Sequence, residues 1–428
     1  MHSAPADSDI TARIRQARGR FACMAASYAL GTFNDNFFKQ AALLLAVEAG
    51  RTAMQGYALA AFTLPFIVLA SAAGWMADRF AKRRVVIGAK AMEFMAMLIG
   101  ALGMCLGNWP LIFTMLAIMG IQATFFSPAL NGRLPELYPE SYVPRANAVL
   151  RLLVTLAILA GVALAGVALD RPGVWRGIAR GRWAVAGTVI GVAFLGLLVS
   201  YGVPRRPAAN SRMPYPWNGP VHTVRRLALT LRDPILAVTI LADVFIWFIG
   251  SLGILIVNPL GKNEFLLTTT KTSALVATQL VGIGVGGLLA SRFVRGPRWY
   301  RAVAPAGGAM SLAMLAFPCV SLAAPDARLP VLFCLLFLLG AMGGVILIPV
   351  ESFLQVRPAA HEKGSVLAAV NFVVFSGIFI SSFVANGLNA WCRPTVAFAW
   401  TGAGSLVASV ALHFAYRQGG AGSCSSKS

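Results

Sequence analysis

A chain of 428 residues that is 58% hydrophobic, 12% charged and of mean hydropathy +0.73 is not a soluble protein with a large core; soluble domains carry about 25% charge. The net charge of +21 does not mark a nucleic-acid binder, because the basic residues cluster in short loops between apolar runs rather than along one stripe. Six cysteines (Cys23, Cys105, Cys319, Cys334, Cys392 and Cys424) are scattered without a C-x-x-C pair, which gives no metal site and no disulfide framework.

A helix crosses a bilayer with about 20 apolar residues. Residues 1–20 are polar and are expected to form a cytoplasmic tail with no cleavable signal peptide. Apolar runs then predict spans near 21–47, 55–76, 85–106, 109–130, 146–169 and 183–203. Residues 204–232, rich in Pro and Arg, predict a cytoplasmic linker. A second set follows near 234–258, 268–291, 302–323, 329–350, 364–387 and 394–415, and 417–428 forms a cytoplasmic tail. The expected fold class is therefore all-α and integral to a membrane. Twelve helices form two pseudo-symmetric six-helix bundles, 21–203 and 233–416.

Lys and Arg set the orientation. With the N-terminus cytoplasmic, inner segments hold 25 of the 36 basic residues and outer loops nine, while Lys39 and Lys90 lie within spans. Both termini are thus predicted inside. The outer loop from Asp170 to Arg182 breaks the rule with Arg171, Arg176, Arg180 and Arg182. The halves are also weakly alike. Ser127-Pro128 and Ile348-Pro349 each end a span, and a base with small residues opens the next at Arg145-Ala146 and Lys363-Gly364. Parallel repeats of this kind build many transporters, with the site at the midplane between halves.

The first span is the most polar. Gly31-Thr-Phe-Asn34-Asp35-Asn36-Phe-Phe-Lys39-Gln40 places ionisable groups in a membrane helix, each costing at least about 2.5 kcal/mol on insertion scales. Asp35 and Lys39 are four apart and share a helix face. They either neutralise each other to lock the fold or meet a charged substrate. Lys90 and Glu93 make a second pair, with Lys90 expected to snorkel to the inner surface. Asp243 in span seven, the counterpart of span one, is a further midplane candidate or else an interfacial helix start. Glu351 and Gln355 close span ten and are expected in a cytoplasmic gate or loop network. Gln122, Asn147 and Asn371 are expected to bond between helices.

Gly74-Trp-Met-Ala-Asp78-Arg79-Phe-Ala81-Lys82-Arg83-Arg84 follows span two. It resembles the loop signature of the major facilitator superfamily: glycine, three residues, aspartate, arginine, then bases. Gly74 permits close helix approach. Asp78 suits a neighbouring helix N-terminus. Arg79, Arg83 and the rest of the basic cluster anchor at an anionic inner leaflet. The family's second glycine is Ala81 here. The span-one motif, Phe126-Ser127-Pro128-Ala129, Leu134-Pro135-Glu136-Leu137, Ala146-Asn147-Ala148, Pro349-Val350-Glu351-Ser352-Phe353-Leu354-Gln355 and Asn371-Phe372 are similar to the lysophospholipid transporter branch of that superfamily.

The resemblance implies a flippase and not an enzyme. Such proteins carry lysophosphatidylethanolamine and related one-tailed lipids from the outer to the inner leaflet of the bacterial inner membrane, where an acyltransferase restores the second chain. The chain stops at Ser428 after a Gly/Ser-rich tail, so an acyltransferase or acyl-carrier synthetase is expected on a separate polypeptide. A monomer in contact with membrane lipids is expected, with no cofactor, no metal and no nucleic acid. Asp35 is the candidate for the lipid amine and Lys39 for the phosphate, with Asn34 and Asn36 as neutral hydrogen-bonding partners. An exporter of drugs or small amphiphiles on the same fold is the alternative. Two enzyme-like patterns are coincidental. Gly282-Ile-Gly284-Val-Gly286-Gly287 lies in an apolar span with no strand before it, and suits helix packing rather than a dinucleotide. His2 and Asp7 match an acyltransferase spacing in a polar tail without a supporting fold.

Overall fold

A computed structural model describes residues 7–131, 138, 142–203, 215, 217–294, 299–359 and 362–425. The chain forms two compact units, Met1–Ala42 with Val68–Trp217, and Leu43–Ile67 with Asn218–Ser428.

In the first unit, α1 (Asp7–Glu48) begins ahead of the apolar run and contributes its residues up to Ala42. The predicted second span is two helices, α2 (Ala53–Val68) and α3 (Ala70–Arg79), because Leu69 leaves the helical region at φ −103°, ψ 4°. Pro65 lies one turn earlier and removes a backbone donor there. Next come α4 (Lys82–Leu106), closed by Gly107 in the left-handed conformation, and α5 (Trp109–Asn131). The Leu134–Leu137 motif lies outside the described residues. Helix α6 (Val143–Leu169) leads through a hairpin of β1 (Val174–Trp175) and β2 (Ile178–Ala179) into α7 (Arg180–Ser200). Helix α4 packs on α5 and α7, and α6 on α7. Met24, Val86, Ala89, Phe126, Ala146 and Leu150 form one buried cluster, with Tyr28 edge-on to Phe126 at 5.7 Å.

The second unit takes the end of α1, all but the last residue of α2, and the rest of the chain. The linker region holds a helix, α8 (Gly219–Thr230). Asp233 caps α9 (Pro234–Pro259), its Oδ1 accepting from the backbone of Ile235 and Leu236 at 3.1 and 3.2 Å ahead of a proline-opened first turn. A π-helical turn, Leu260–Glu264, leads to α10 (Thr269–Phe293), and a short 3-10 turn to α11 (Val303–Leu315). Phe317–Leu322 continues as 3-10 helix, and α12 (Pro325–Val356), α13 (Lys363–Trp391) and α14 (Pro394–Ser425) complete the unit. Pro349 does not end its helix: α12 runs on to Val356, since one proline forfeits one donor and later residues still bond.

Among the described residues nine helices are long and apolar enough to cross a membrane. Helix α1, the α2–α3 pair, and α11 with its 3-10 extension take the places of the predicted first, second and ninth spans. The first is diluted by its charges, and the other two are interrupted.

The glycines of 282–287 do pack helices. A Cβ on Gly282 would strike the Phe337 carbonyl, and one on Gly286 the Ala341 carbonyl. From α12, Gly340 and Gly344 lie equally close to the Gln279 and Ile283 carbonyls. Two G-x-x-x-G faces therefore interlock backbone to backbone, where lipid supplies no hydrophobic drive and close contact must hold the helices. Gly284 has nothing within 4 Å. Gly286→Leu is expected to cost about 1–3 kcal/mol or more by overpacking and to lower the melting temperature in detergent, whereas Gly284→Leu leaves it unchanged.

Candidate functional site

The polar residues of α1 face three neighbouring helices in the first unit. Asn34 is fully buried and donates to the Val189 carbonyl of α7 at 3.1 Å and to Glu93 Oε1 of α4 at 3.4 Å. Gly31 makes room for the next contact, since a Cβ there would overlap Lys90 Nζ. Asn36 turns back and donates to the Thr32 carbonyl of its own helix at 2.8 Å. Gly161 of α6 lies against this stretch, where a Cβ would sit 2.7 Å from the Phe33 carbonyl and 3.3 Å from Asn36 Cβ.

Lys90 does not snorkel. Its Nζ sits 2.6 Å from Glu93 Oε2, and both side chains are only 1% exposed. The ammonium also lies 4.7 Å from the centre of the Phe126 ring, a placement that attracts a cation. Glu93 thus accepts from Lys90 on one oxygen and from Asn34 on the other. The i,i+3 spacing signalled the pair, but only neighbouring helices determine that it points inward.

Asp35 completes the group. Its charged neighbours are Glu93, Lys90 and Lys39, and its Oδ1 is buried with no hydrogen-bond partner among the described residues. Two carboxylates and two amines therefore balance formally. One carboxylate oxygen remains an open acceptor in an interior where unmade hydrogen bonds are costly.

Asp243 belongs to the second unit, on α9. It is 4% exposed, its Oδ1 has no hydrogen-bond partner among the described residues, and Glu351, Trp247 and Tyr416 surround it. Its burial places it inside the unit rather than at an exposed helix start. Glu351 lies on α12, two residues beyond Pro349.

Arg83, at the start of α4, bonds the carbonyls of Val203 and Tyr201 just past the end of α7, each at 2.9 Å. A guanidinium there satisfies terminal carbonyls and suits the negative helix end. Arg79 closes α3. Gly74 and Asp78 fall on the same helix, but their surroundings lie outside what is described. Gln122 is buried, whereas Asn147 and Asn371, expected between helices, are exposed.

A third polar group was not anticipated. Within the second unit, Glu48 at the end of α1 pairs with Lys262 at 2.9 Å and accepts from Thr269 at 2.8 Å. Gln55 of α2 accepts from Asn258 of α9 at 3.0 Å. Gly56 lies against Ser382 and Asn386 of α13, and Phe66 stacks on Phe375 at 4.2 Å. Residues 43–67 are thereby bound to helices far along the chain. Carboxamides within apolar runs were the available signal.

The major facilitator superfamily model matches residues 22–382. The lysophospholipid transporter LplT of Yersinia enterocolitica serotype O:8 / biotype 1B is 30% identical over 348 residues, covering 79% of each protein. That of Yersinia pestis strain Pestoides F is 29% identical over 313 residues, covering 71% of this chain and 70% of the relative. Among solved structures, the inward-open xylose transporter XylE from E. coli matches with a TM-score of 0.68 at 15% identity, covering 92% of this chain and 94% of that one. A bacterial homologue of the human lysosomal transporter Spinster, inward-facing and unoccupied, matches with a TM-score of 0.67 at 14% identity, covering 94% and 97%. These two structures share the fold at identities that carry no substrate.

Proposed function

The chain belongs to the major facilitator superfamily and is a multi-pass membrane transporter rather than an enzyme, and from that premise we propose that it moves lysophospholipids across the bacterial inner membrane. It takes lysophosphatidylethanolamine-type lipids from the outer to the inner leaflet, where a separate acyltransferase restores the second chain. Both termini are cytoplasmic, in keeping with the distribution of Lys and Arg. The observation that carries the reading is Asp35, a half-buried residue of the first span whose Oδ1 is a buried, open acceptor within a charge-balanced group. A zwitterionic headgroup adds no net charge to such a group. Its amine meets Asp35 and its phosphate Lys39, with Asn34 and Asn36 ordering the helix face, while apolar walls accommodate the tail. The similarity to proteins named lysophospholipid transporters supports the same substrate class.

Transport proceeds by alternating access between the two six-helix halves. Asp243 serves the headgroup from the second half, and Gly74, Asp78, Arg79, Arg83 and Glu351 govern the inner loops.

The test is uptake of labelled lysophosphatidylethanolamine by spheroplasts that lack their own lysolipid transporter and retain the acyltransferase. Labelled two-chain lipid is expected only when the protein is present. No difference, with the protein in the membrane, would leave the fold intact and reassign the activity to export of small amphiphiles.

A further inference from the structure

The outer loop that breaks the charge rule is a folded element. Strands β1 and β2 pair antiparallel, with Val174 opposite Ala179 and Trp175 opposite Ile178. The connection is Arg176-Gly177, with φ of +51° and +77°. Positive φ at both central residues is the hallmark of the two-residue hairpin turn whose twist suits paired strands. Trp183 donates its indole N–H to the Trp175 carbonyl at 3.1 Å, and the two rings meet edge-on at 4.9 Å. The Arg176 guanidinium lies over Trp175 at 4.9 Å. At the base, the Arg180 amide bonds to the Gly173 carbonyl at 2.9 Å, and Gly181 brings the start of α7 against the Leu169 carbonyl. The hairpin is thus pinned over the ends of α6 and α7, both long enough to span a membrane, so it sits at a membrane surface.

We propose that this hairpin is a docking site for the phosphate groups of phospholipids in the leaflet it touches. Residues 170–182 carry four arginines and one aspartate. Arg171, Arg176 and Arg180 are exposed. Val174 and Trp175 beside them are 65% and 49% exposed. Planar guanidinium groups bind phosphate through paired hydrogen bonds, and tryptophan favours the headgroup layer, where one part of the ring is apolar and the other wet. An Arg/Trp tip on a rigid turn therefore matches one partner, a lipid surface bearing phosphate. Orientation alone disfavours arginines on this side of the membrane, so their presence on an ordered scaffold points to a bound anion. The site is separate from the proposed transport group, and its test reads binding rather than transport.

The experiment is native mass spectrometry of the purified protein in detergent, with phosphatidylglycerol or a phosphate-free galactolipid added. In Arg171→Gln/Arg176→Gln/Arg180→Gln, phosphatidylglycerol retention is expected to fall about tenfold as charge-assisted hydrogen bonds are lost, with galactolipid retention unchanged. Arg225→Gln, which removes an exposed arginine on α8, is expected to retain lipid as the wild type does. Gly177→Val keeps every charge but disfavours positive φ, and is expected to lose retention as well. Equal phosphatidylglycerol retention in the triple variant overturns the proposal. Wild-type retention in Gly177→Val overturns the part played by the folded turn. Excess inorganic phosphate is expected to leave the lipid bound, and its full displacement would reassign the site to a free anion.

Discussion

Asp35→Asn is expected to reduce lysophosphatidylethanolamine uptake at least about tenfold, the loss that follows from removing one charge-assisted hydrogen bond of about 1.5–3 kcal/mol, with membrane insertion intact. The amide still fits and still accepts a hydrogen bond, but it no longer attracts an ammonium. Stability distinguishes this role from the structural alternative. If Asp35 serves the substrate, its open oxygen is a cost in the empty protein, so the variant should melt in detergent no lower than the wild type. If Asp35 only neutralises Lys39, the same substitution leaves a cation in the membrane interior without its counter-charge, and the melting temperature should drop with transport. Lys39→Ala supplies the complementary measurement and should cut uptake through the phosphate while retaining insertion. Wild-type uptake in both variants would refute the assignment.

The second large effect concerns Lys90 and Glu93. Glu93→Ala or Lys90→Ala, made singly, is expected to destabilise the first unit by about 3–5 kcal/mol, because one charge of a buried pair is left uncompensated. Each single variant should therefore accumulate poorly or melt early. Replacing both, as Lys90→Met/Glu93→Leu, is expected to recover most of the stability, since apolar residues of similar volume often substitute for a buried pair without loss. Asn34 sharpens the expectation. Without Glu93 it keeps only its bond to the Val189 carbonyl, so part of the deficit should persist in the double variant and disappear when Asn34→Leu is added. Uptake separates positioning from stability. A double variant that folds but transports slowly would indicate that the pair holds the charge environment of Asp35, whereas one that transports normally would limit the pair to packing.

Much of the architecture follows from the chain alone, because a bilayer leaves few options. Backbone groups in hydrocarbon must bond within their own segment, so runs of about 20 apolar residues become helices. Nine of the predicted spans appear, among the described residues, as helices both long and apolar enough to cross a membrane, and the interruption of the second falls one turn after Pro65, where a donor is missing. The packing role of Gly282, Gly284, Gly286 and Gly287 was legible in outline. Which of them touch α12 was not: Gly282, Gly286 and Gly287 do, and Gly284 does not, because facing depends on the neighbour's position.

The polar residues mark the other side of that division. Local spacing identified Asp35 with Lys39 and Lys90 with Glu93 as pairs, since residues three or four apart share a helix face. Spacing cannot say whether that face meets lipid, water or protein. Lys90 was therefore expected at the surface, but α1 through Gly31, α5 through Phe126 and α7 through Gly196 enclose it. The link from Gln55 to Asn258 spans 203 residues, and that from Glu48 to Thr269 spans 221; no local pattern contains either. The Arg-rich loop showed its charge in the sequence but not its hairpin, because a two-stranded ribbon this short is stable only when pinned to the helix ends beneath it. Hydropathy thus determines what must lie in the membrane. Which buried polar atoms find partners, and which oxygen is left without one, is decided by helices brought together from distant parts of the sequence.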